Sequence, residues 1–308
     1  MDAELTVRPA RPDDRPDVER ICAHTWEWGD YIPEVWSDWL ADEALSRAEG
    51  GSGLGQVIVG QVGKRVVALS KITFHTPDQV WLEGMRVEAD FRRQGIASRF
   101  LKYSLAYARE RGARVVRLGT GHHNTPVHAL AARAGMVRVG TYVVWAAAPL
   151  ADAPQPTILN QDQTAAVQAF VQASPVWDHT HGLYSLDWAW QELSAERLAQ
   201  FLDSGQMMAR LTPDGGLLAL ALAFCEPAGE EMWIGFADGR PAAVTTLLKA
   251  LRAHAAQAAA QKLRVMLPNL DWLRDAFHAA GYGPGDWEGE LWVFELRLAQ
   301  NGGGGHGG

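Results

Sequence analysis

The sequence predicts an α+β fold: two tandem mixed-sheet α/β domains in layers, the second a degenerate copy of the first. Three observations carry this. The chain has 308 residues, 47% of them hydrophobic, which is enough for two domains of about 150 residues that each bury a core. Near its middle runs Ala146-Ala147-Ala148-Pro149-Leu150-Ala151-Asp152-Ala153-Pro154-Gln155-Pro156, small and proline-rich like a linker. The two halves also echo one another. VVALSKITFHTPDQVWLEGMRV matches LLALALAFCEPAGEEMWIGFAD, and YIPEVWSDWLADEAL is answered by LYSLDWAWQELSAERL. Trp81 thereby pairs with Trp233 and Gly135 with Gly281, an offset too long for a solenoid and suited to a duplicated domain.

Each element of the first half follows from local pattern. Leu5–Arg8 reads as a short strand. Asp13 or Asp14 offers a helix N-cap with Pro16 in the opening turn, so a helix runs through Cys22. Glu34–Leu45 is a tryptophan-rich amphipathic helix. Gly51–Gly55 lacks the Gly-Lys-Ser/Thr ending of a nucleotide loop and reads as a turn. Gln56–Val62 and Val66–Phe74 form a hairpin, and Gln79–Val87 is the next strand. Ile96–Glu110 sets Ile96, Phe100, Leu101, Leu105 and Ala108 along one helical side. A strand at Arg114–Leu118, a helix at Thr125–Ala134 and a β-branched strand at Arg138–Trp145 close the half. The domains expected are 1–147 and 155–299. The glycine-rich end, 300–308, has no side chains to pack and is expected to be disordered.

Composition excludes several classes. A formal net charge of −8 argues against holding nucleic acid by a basic field. Two cysteines cannot build a disulfide framework, which points to a reducing, cytoplasmic setting. The N-terminus has no apolar leader, and the longest apolar stretch, Leu217–Phe224, is too short for a bilayer, so no membrane role is expected. His122, His123 and His128 have no carboxylate or cysteine at zinc-site spacing, so no metal is expected.

The chemistry gathers where strand Gln79–Val87 turns into Arg92-Arg93-Gln94-Gly95-Ile96-Ala97-Ser98 and a helix follows directly. Gly95 and Ala97 leave the N–H groups of the first helical turn uncovered. With the positive end of the helix dipole they make a phosphate site, and Arg92 and Arg93 add charge for a pyrophosphate.

Leu82-Glu83-Gly84-Met85-Arg86-Val87 followed by Arg92–Ala97 resembles the acetyl-CoA motif of the GNAT N-acetyltransferases. Asn124, with Leu130-Ala131-Ala132-Arg133-Ala134-Gly135-Met136, is similar to the second motif of that superfamily. The resemblance covers most of the first half. In the second half Ala276–Tyr282 is like the second motif, but Asp238-Gly239-Arg240-Pro241-Ala242-Ala243 lacks the phosphate pattern, and Pro241 deletes a backbone donor. Asp30–Leu40 together with Glu83–Val87 is similar, more narrowly, to the histidine N-acetyltransferase group, which implies a small amino acid or amine as acceptor.

What the resemblance implies is direct attack of a neutral amine on acetyl-CoA in a ternary complex, with no acyl-enzyme. Main-chain donors near Met85, Arg86 and Val87, where a strand splays from its neighbour, would hold the pantetheine and the thioester carbonyl. Arg92, Arg93, Gln94, Gly95, Ile96, Ala97 and Ser98 would hold the pyrophosphate. Asn124 would bond the pantetheine or cap the next helix. Glu83 is the candidate base: it shares strand parity with Met85 and Val87 and could instead be a glutamate ion-paired to Arg86 or Lys71. The family often places a tyrosine four residues before the second-motif glycine as general acid. Here that position is Ala131, leaving water, Tyr103, His123 or nothing. Glu27, Tyr31 and His123 are the expected acceptor contacts, beside a tryptophan cluster (Trp26, Trp28, Trp36, Trp39) that reads first as core. The alternative is a non-catalytic acetyl-CoA-binding or interaction module, which Ala131 and the degenerate copy favour.

Overall fold

The structure, a computed structural model, describes residues 4–23, 25, 29–48, 55–225 and 230–299. The expectations for Glu27, Trp26, Trp28, the turn at 51–54 and the tail 300–308 fall outside the described residues. In chain order the first elements are β1 (Leu5–Pro9), α1 (Arg15–Cys22), α2 (Ile32–Ala48), β2 (Gln56–Val62), β3 (Arg65–Thr76) and β4 (Gln79–Val87). Then come α3 (Ile96–Glu110), β5 (Val115–Gly121), α4 (Thr125–Arg133) and β6 (Val137–Ala147). The order expected for this half, strand by strand, is the order found.

The second half runs β7 (Thr157–Ile158), α5 (Thr164–Gln172), α6 (Pro175–His179), β8 (Leu183–Leu186), β9 (Ala189–Glu192), α7 (Ala195–Asp203) and β10 (Met207–Leu211). It continues with β11 (Leu217–Cys225), β12 (Glu231–Gly239), α8 (Pro241–Gln257), β13 (Lys262–Pro268), α9 (Asp271–Ala279), β14 (Gly283–Pro284) and β15 (Glu290–Arg297). No helix among the described residues is long and apolar enough to cross a membrane.

The chain divides into two compact units that do not follow a linear cut. The first comprises 1–119, 124–138 and 294–308, and the second 120–123 and 139–293. A boundary near residue 150 therefore differs from what the fold does. The C-terminal end of the chain completes the first unit, and most of β6 belongs to the second.

The first unit is a mixed sheet in the order β1-β2-β3-β4-β5, with β15 beside β5. Its two faces are covered by different helices. On one, Phe100, Tyr107 and Ala108 of α3 pack with Ile58, Ala68, Ile72, Val80 and Val116. On the other, Val18 and Ile21 of α1 and Trp36 and Trp39 of α2 pack with Val57, Val59 and Leu69. Val18, Phe100 and Ile72 are wholly excluded from solvent, the burial that drives the layering. Asp14 does take the N-cap position of α1, but its carboxylate makes no capping bond. It accepts instead from both Arg8 guanidinium nitrogens, at 2.6 and 2.8 Å, and from the Arg11 N–H at 2.8 Å.

The closing strand is locked inside the first unit by charge. Arg117 of β5 is 1% exposed and its guanidinium donates to Glu295 of β15 at 2.7 Å and to Gln79 of β4 at 2.9 Å. The Leu298 N–H donates to the Arg114 carbonyl at 2.8 Å.

The second unit repeats the plan, with β6-β13-β12-β11-β10-β7 as its sheet. Trp81 pairs in register with Arg117 across a parallel ladder, and Trp233 pairs with Arg264 across the corresponding one. Gly135 and Gly281 each follow a helix in the left-handed conformation and close the same turn. The Met136 N–H bonds the Ala131 carbonyl and the Tyr282 N–H the Phe277 carbonyl, each at 3.0 Å.

One part of the expected internal match is corrected. Tyr31–Leu45 is helical from Ile32 onward, whereas Leu183–Glu192 is a hairpin, β8 paired with β9, whose turn puts Asp187 at φ 54°. Each strand spans only four residues, too short to show a period, and the aromatic residues shared with α2 concealed the turn between them. The expected linker is tied to α8: Arg252 Nε donates to the Ala148 carbonyl at 2.8 Å.

Candidate active site

The site grows from a defect in β4. Strand β3 pairs Leu69 with Arg86 and Lys71 with Glu83, so one residue of β3, Ser70, faces two of β4, Gly84 and Met85. This is a β-bulge, and it re-aims the side chains that follow it. Gly84 takes φ +66°, where a side chain is strained, and a Cβ there would lie 2.5 Å from the Trp39 ring. The Ser70 hydroxyl ties the bulge by donating to the Glu83 carbonyl at 3.0 Å.

The bulge corrects the parity expected of Glu83 and Met85. Leu82, Met85 and Val87 all pack into the α3 face. Glu83 and Arg86 are turned together toward the α2 face. Without the extra residue, Arg86 would follow Leu82 to the α3 side.

Glu83 is half-buried within a polar patch on that face. Its Oε1 accepts from the Thr73 hydroxyl at 2.6 Å and lies 3.7 Å from Lys71 Nζ. Lys71 Nζ sits over the Trp39 ring, 5.0 Å from its centroid. Of the two ion partners weighed for Glu83 from sequence, Lys71 is the one found. Arg86 goes elsewhere: its Nε donates to Asp30 at 2.7 Å, and its guanidinium lies 5.8 Å from the Tyr31 ring centroid. Tyr31, 40% exposed, meets Trp39 edge-on at 6.2 Å. Asp30, Tyr31, Trp39, Lys71, Thr73, Glu83 and Arg86 thus form one continuous cluster.

The cluster's buried charge is held by pairing. Burial opposes ionisation of Asp30, but the bonds and charge of Arg86 outweigh it and hold the carboxyl below its usual range. That pair stabilises the fold above the ordinary carboxylate range and ceases to do so as pH falls through the lowered value. Burial, with the Asp30 charge next, pushes the Cys22 thiol up to about 12, so it is no nucleophile.

On its other edge β4 parts from β5. The parallel ladder runs from Gln79–Val115 to Leu82–Leu118 and ends there, so Glu83 to Val87 have no register partner in β5. This is the splay expected around Met85, Arg86 and Val87.

The loop that follows is anchored at both ends. Arg20 and Arg65 pair with Glu88, and Arg92 Nε donates to the Val87 carbonyl at 3.0 Å. Gln94 donates to the Asp90 carbonyl at 2.9 Å. Arg93 and Gly95 are both left-handed, at φ 62° and 78°, the kind of turn that makes an anion-binding concavity of backbone N–H groups. Gly95 is the N-cap of α3, and Arg99 N–H makes the first helical bond, to the Gly95 carbonyl at 3.1 Å. The N–H groups of Ile96, Ala97 and Ser98 precede that bond and have no helical partner. A Cβ built at Gly95 would meet nothing within 4 Å, so the space above the helix end is open. The donor set fits a pyrophosphate. Arg93 is exposed, while Arg92 is partly spent on shaping the loop.

The remaining expected residues lie as follows. Asn124 is the N-cap residue of α4, but its side chain makes no capping bond. Ala131 is fully buried. Tyr103 is on α3, its hydroxyl donating to Gln56 Oε1 at 3.2 Å, so it faces β2. His123 belongs to the second unit, where its ring meets His122 edge-on at 5.4 Å. Thr73 and Ser70 escaped the sequence reading. The signal for Thr73 was the break from apolar Leu69 to Lys71 and Thr73 along one face of a strand that is otherwise core.

Gly84→Ala tests the bulge. It is expected to cost about 1–3 kcal/mol by urea unfolding, because the methyl group meets a rigid, buried indole at a strained φ. A loss near zero would mean the bulge relaxes freely.

Comparisons agree with this geometry. Residues 16–136 match the acetyltransferase (GNAT) family. A GCN5-related N-acetyltransferase from Sphaerobacter thermophilus is similar in structure, with TM-score 0.61, 17% identity and 95% of each chain covered. A tandem GNAT protein from the clavulanic acid biosynthesis pathway is similar at TM-score 0.56 and 14% identity, over 96% of this chain and 98% of that one. No curated protein matches the sequence. At these identities the likeness shows the fold, and it extends over both units. The bulged and splayed β4 and the loop at Arg92–Ser98 both fall inside the stretch, residues 16–136, that matches the acetyltransferase (GNAT) family.

Proposed function

We propose that the first unit transfers an acetyl group from acetyl-CoA to the amine of a small molecule, by direct attack in a ternary complex. One observation supports the reading: the splay of β4 from β5 begins at Glu83, directly before the bulge at Gly84 and Met85, so the carboxylate and the freed backbone lie side by side on β4. Acetyl-CoA supplies an activated acyl carbon with a good leaving group. The chain's own groups do the rest. Backbone donors of Met85 to Val87 at the splayed edge hold the thioester end, and the N–H groups of Gly95 to Ser98 with Arg93 hold the pyrophosphate. Glu83, steadied by Thr73, takes the proton of the attacking amine, directly or through a water. No tyrosine replaces the buried Ala131, so a protein general acid at that position is not part of the proposal.

Tyr31, Trp39 and Glu83 offer aromatic faces and a carboxylate, which suit a small cationic amine such as an amino acid. Thiol release on incubation with acetyl-CoA and a panel of free amino acids, polyamines and aminoglycosides tests this. Tight acetyl-CoA binding with no thiol release for any amine would favour a binding module instead.

The second unit is read as a copy that does not hold acetyl-CoA. Its ladder between β12 and β13 also ends after four pairs, at Ile234–Val265, and its bulge falls at Gly235, where the first unit has Glu83. The Ser185 carbonyl packs directly on Gly235, and the cavity there holds only about 20 Å³. The α8 N-terminus begins with Pro241 behind Arg240, without a left-handed glycine cap. Titration calorimetry is expected to give one acetyl-CoA per chain, and two equivalent sites would refute this part of the reading.

A further inference from the structure

We propose that Lys71 is itself an acetyl acceptor, so that the chain acetylates its own active-site lysine. The inference rests on the acetyl-CoA reading above and on a juxtaposition that reading does not require. An acceptor amine must come within reach of the Glu83 carboxylate, and an aromatic face beside a carboxylate is the chemistry that receives an alkylammonium. Lys71 already presents such a group there. Its Cα is the register partner of Glu83, its Nζ lies 3.7 Å from Glu83 Oε1, and the same Nζ sits over the Trp39 ring at 5.0 Å. Trp39 is fixed because its ring packs on Gly84, and Glu83 is fixed by the Thr73 hydroxyl at 2.6 Å. The Lys71 side chain is 15% exposed, and its ammonium is carried at the head of a flexible four-carbon stem.

The step balances without a further reactant. The Lys71 proton passes to Glu83, and the neutral Nζ attacks the acetyl carbon. An N–C bond forms, the C–S bond of the thioester breaks, and CoA leaves as its thiolate, which takes up a proton. Transfer stops at one acetyl group per chain at this position, because the amide nitrogen formed is no longer a nucleophile. The lysine then carries no charge toward Glu83 or Trp39.

The chain has only five lysines, Lys64, Lys71, Lys102, Lys249 and Lys262, so each can be followed separately. The full chain is incubated with acetyl-CoA and no acceptor amine, and acetylation of every lysine is timed by peptide mass spectrometry. Lys71 is expected to react at least about tenfold faster than the exposed Lys64 and Lys102, with equimolar thiol release. Glu83→Gln is expected to slow Lys71 by a similar factor and leave Lys64 unchanged. Thr73→Val, which frees the Glu83 carboxylate, is expected to slow it in the same direction and serves if Glu83→Gln does not fold. Lys71 reacting no faster than Lys64, or equally fast in both variants, overturns the proposal. So does an unlabelled Lys71 in a protein that binds acetyl-CoA by calorimetry. A protein that does not bind acetyl-CoA at all overturns this proposal and the acetyl-CoA reading together.

Discussion

Replacing Glu83 by glutamine is expected to lower kcat at least about tenfold while leaving acetyl-CoA affinity nearly unchanged. The split follows from where the side chain points. Glutamine keeps the volume and can still accept from the Thr73 hydroxyl, which now lies 2.6 Å from Oε1, so the bulge and its packing survive. What disappears is the group that takes the proton from the amine. The carboxylate faces the α2 side of β4, whereas the backbone donors proposed for the thioester lie along the splayed edge, so cofactor binding does not depend on it. Steady-state thiol release with the best amine of the panel, and calorimetry with acetyl-CoA alone, measure the two quantities. An unchanged kcat removes Glu83 from the mechanism, and lost acetyl-CoA binding would assign it to the cofactor instead.

Glu295→Ala is expected to destabilise the first unit by about 3–5 kcal/mol, the largest stability effect foreseen for a single side chain here. Arg117 is 1% exposed and loses the carboxylate that its guanidinium meets at 2.7 Å, while its bond to the Gln79 side-chain oxygen brings no compensating charge. An uncompensated buried guanidinium is far more costly than the absent pair. The double replacement Arg117→Met with Glu295→Leu is therefore expected to recover most of the loss, since apolar residues of similar volume tolerate such sites well. Urea unfolding of the three variants decides it. A single variant within about 1 kcal/mol of the parent would mean the buried pair does not hold the last strand in place.

Much of the first unit was legible because its elements carry strong local signals. β4 and α3 begin and end where alternation and helical spacing put them. The loop Arg92–Ser98 was legible because glycine and alanine at a helix start have few other uses. What was not legible depends on partners far along the chain. The bulge at Gly84 needs Trp39 and Ser70 to reveal itself, and without it parity misplaces Met85 relative to Glu83. The pairing of Arg86 with Asp30 rather than Glu83 follows from that same half-turn. The hairpin at Leu183–Glu192 was hidden by tryptophans shared with α2, because aromatic content says nothing about period. No local pattern shows that Arg117 will meet Glu295 across 178 positions.

That last contact has a consequence for how the protein is made. Most of the first unit is synthesised early, yet β5 acquires its second neighbouring strand only with β15, residues 290–297. Roughly 170 residues separate the two, which at ribosomal speed is on the order of 10–30 s. Through that interval β5 stands as an open edge, the surface most prone to pair with a stranger. The domain that comes first in the gene is thus the one finished last. A nascent chain halted before residue 290 would carry the proposed acetyl-CoA loop complete and the sheet beneath it unfinished.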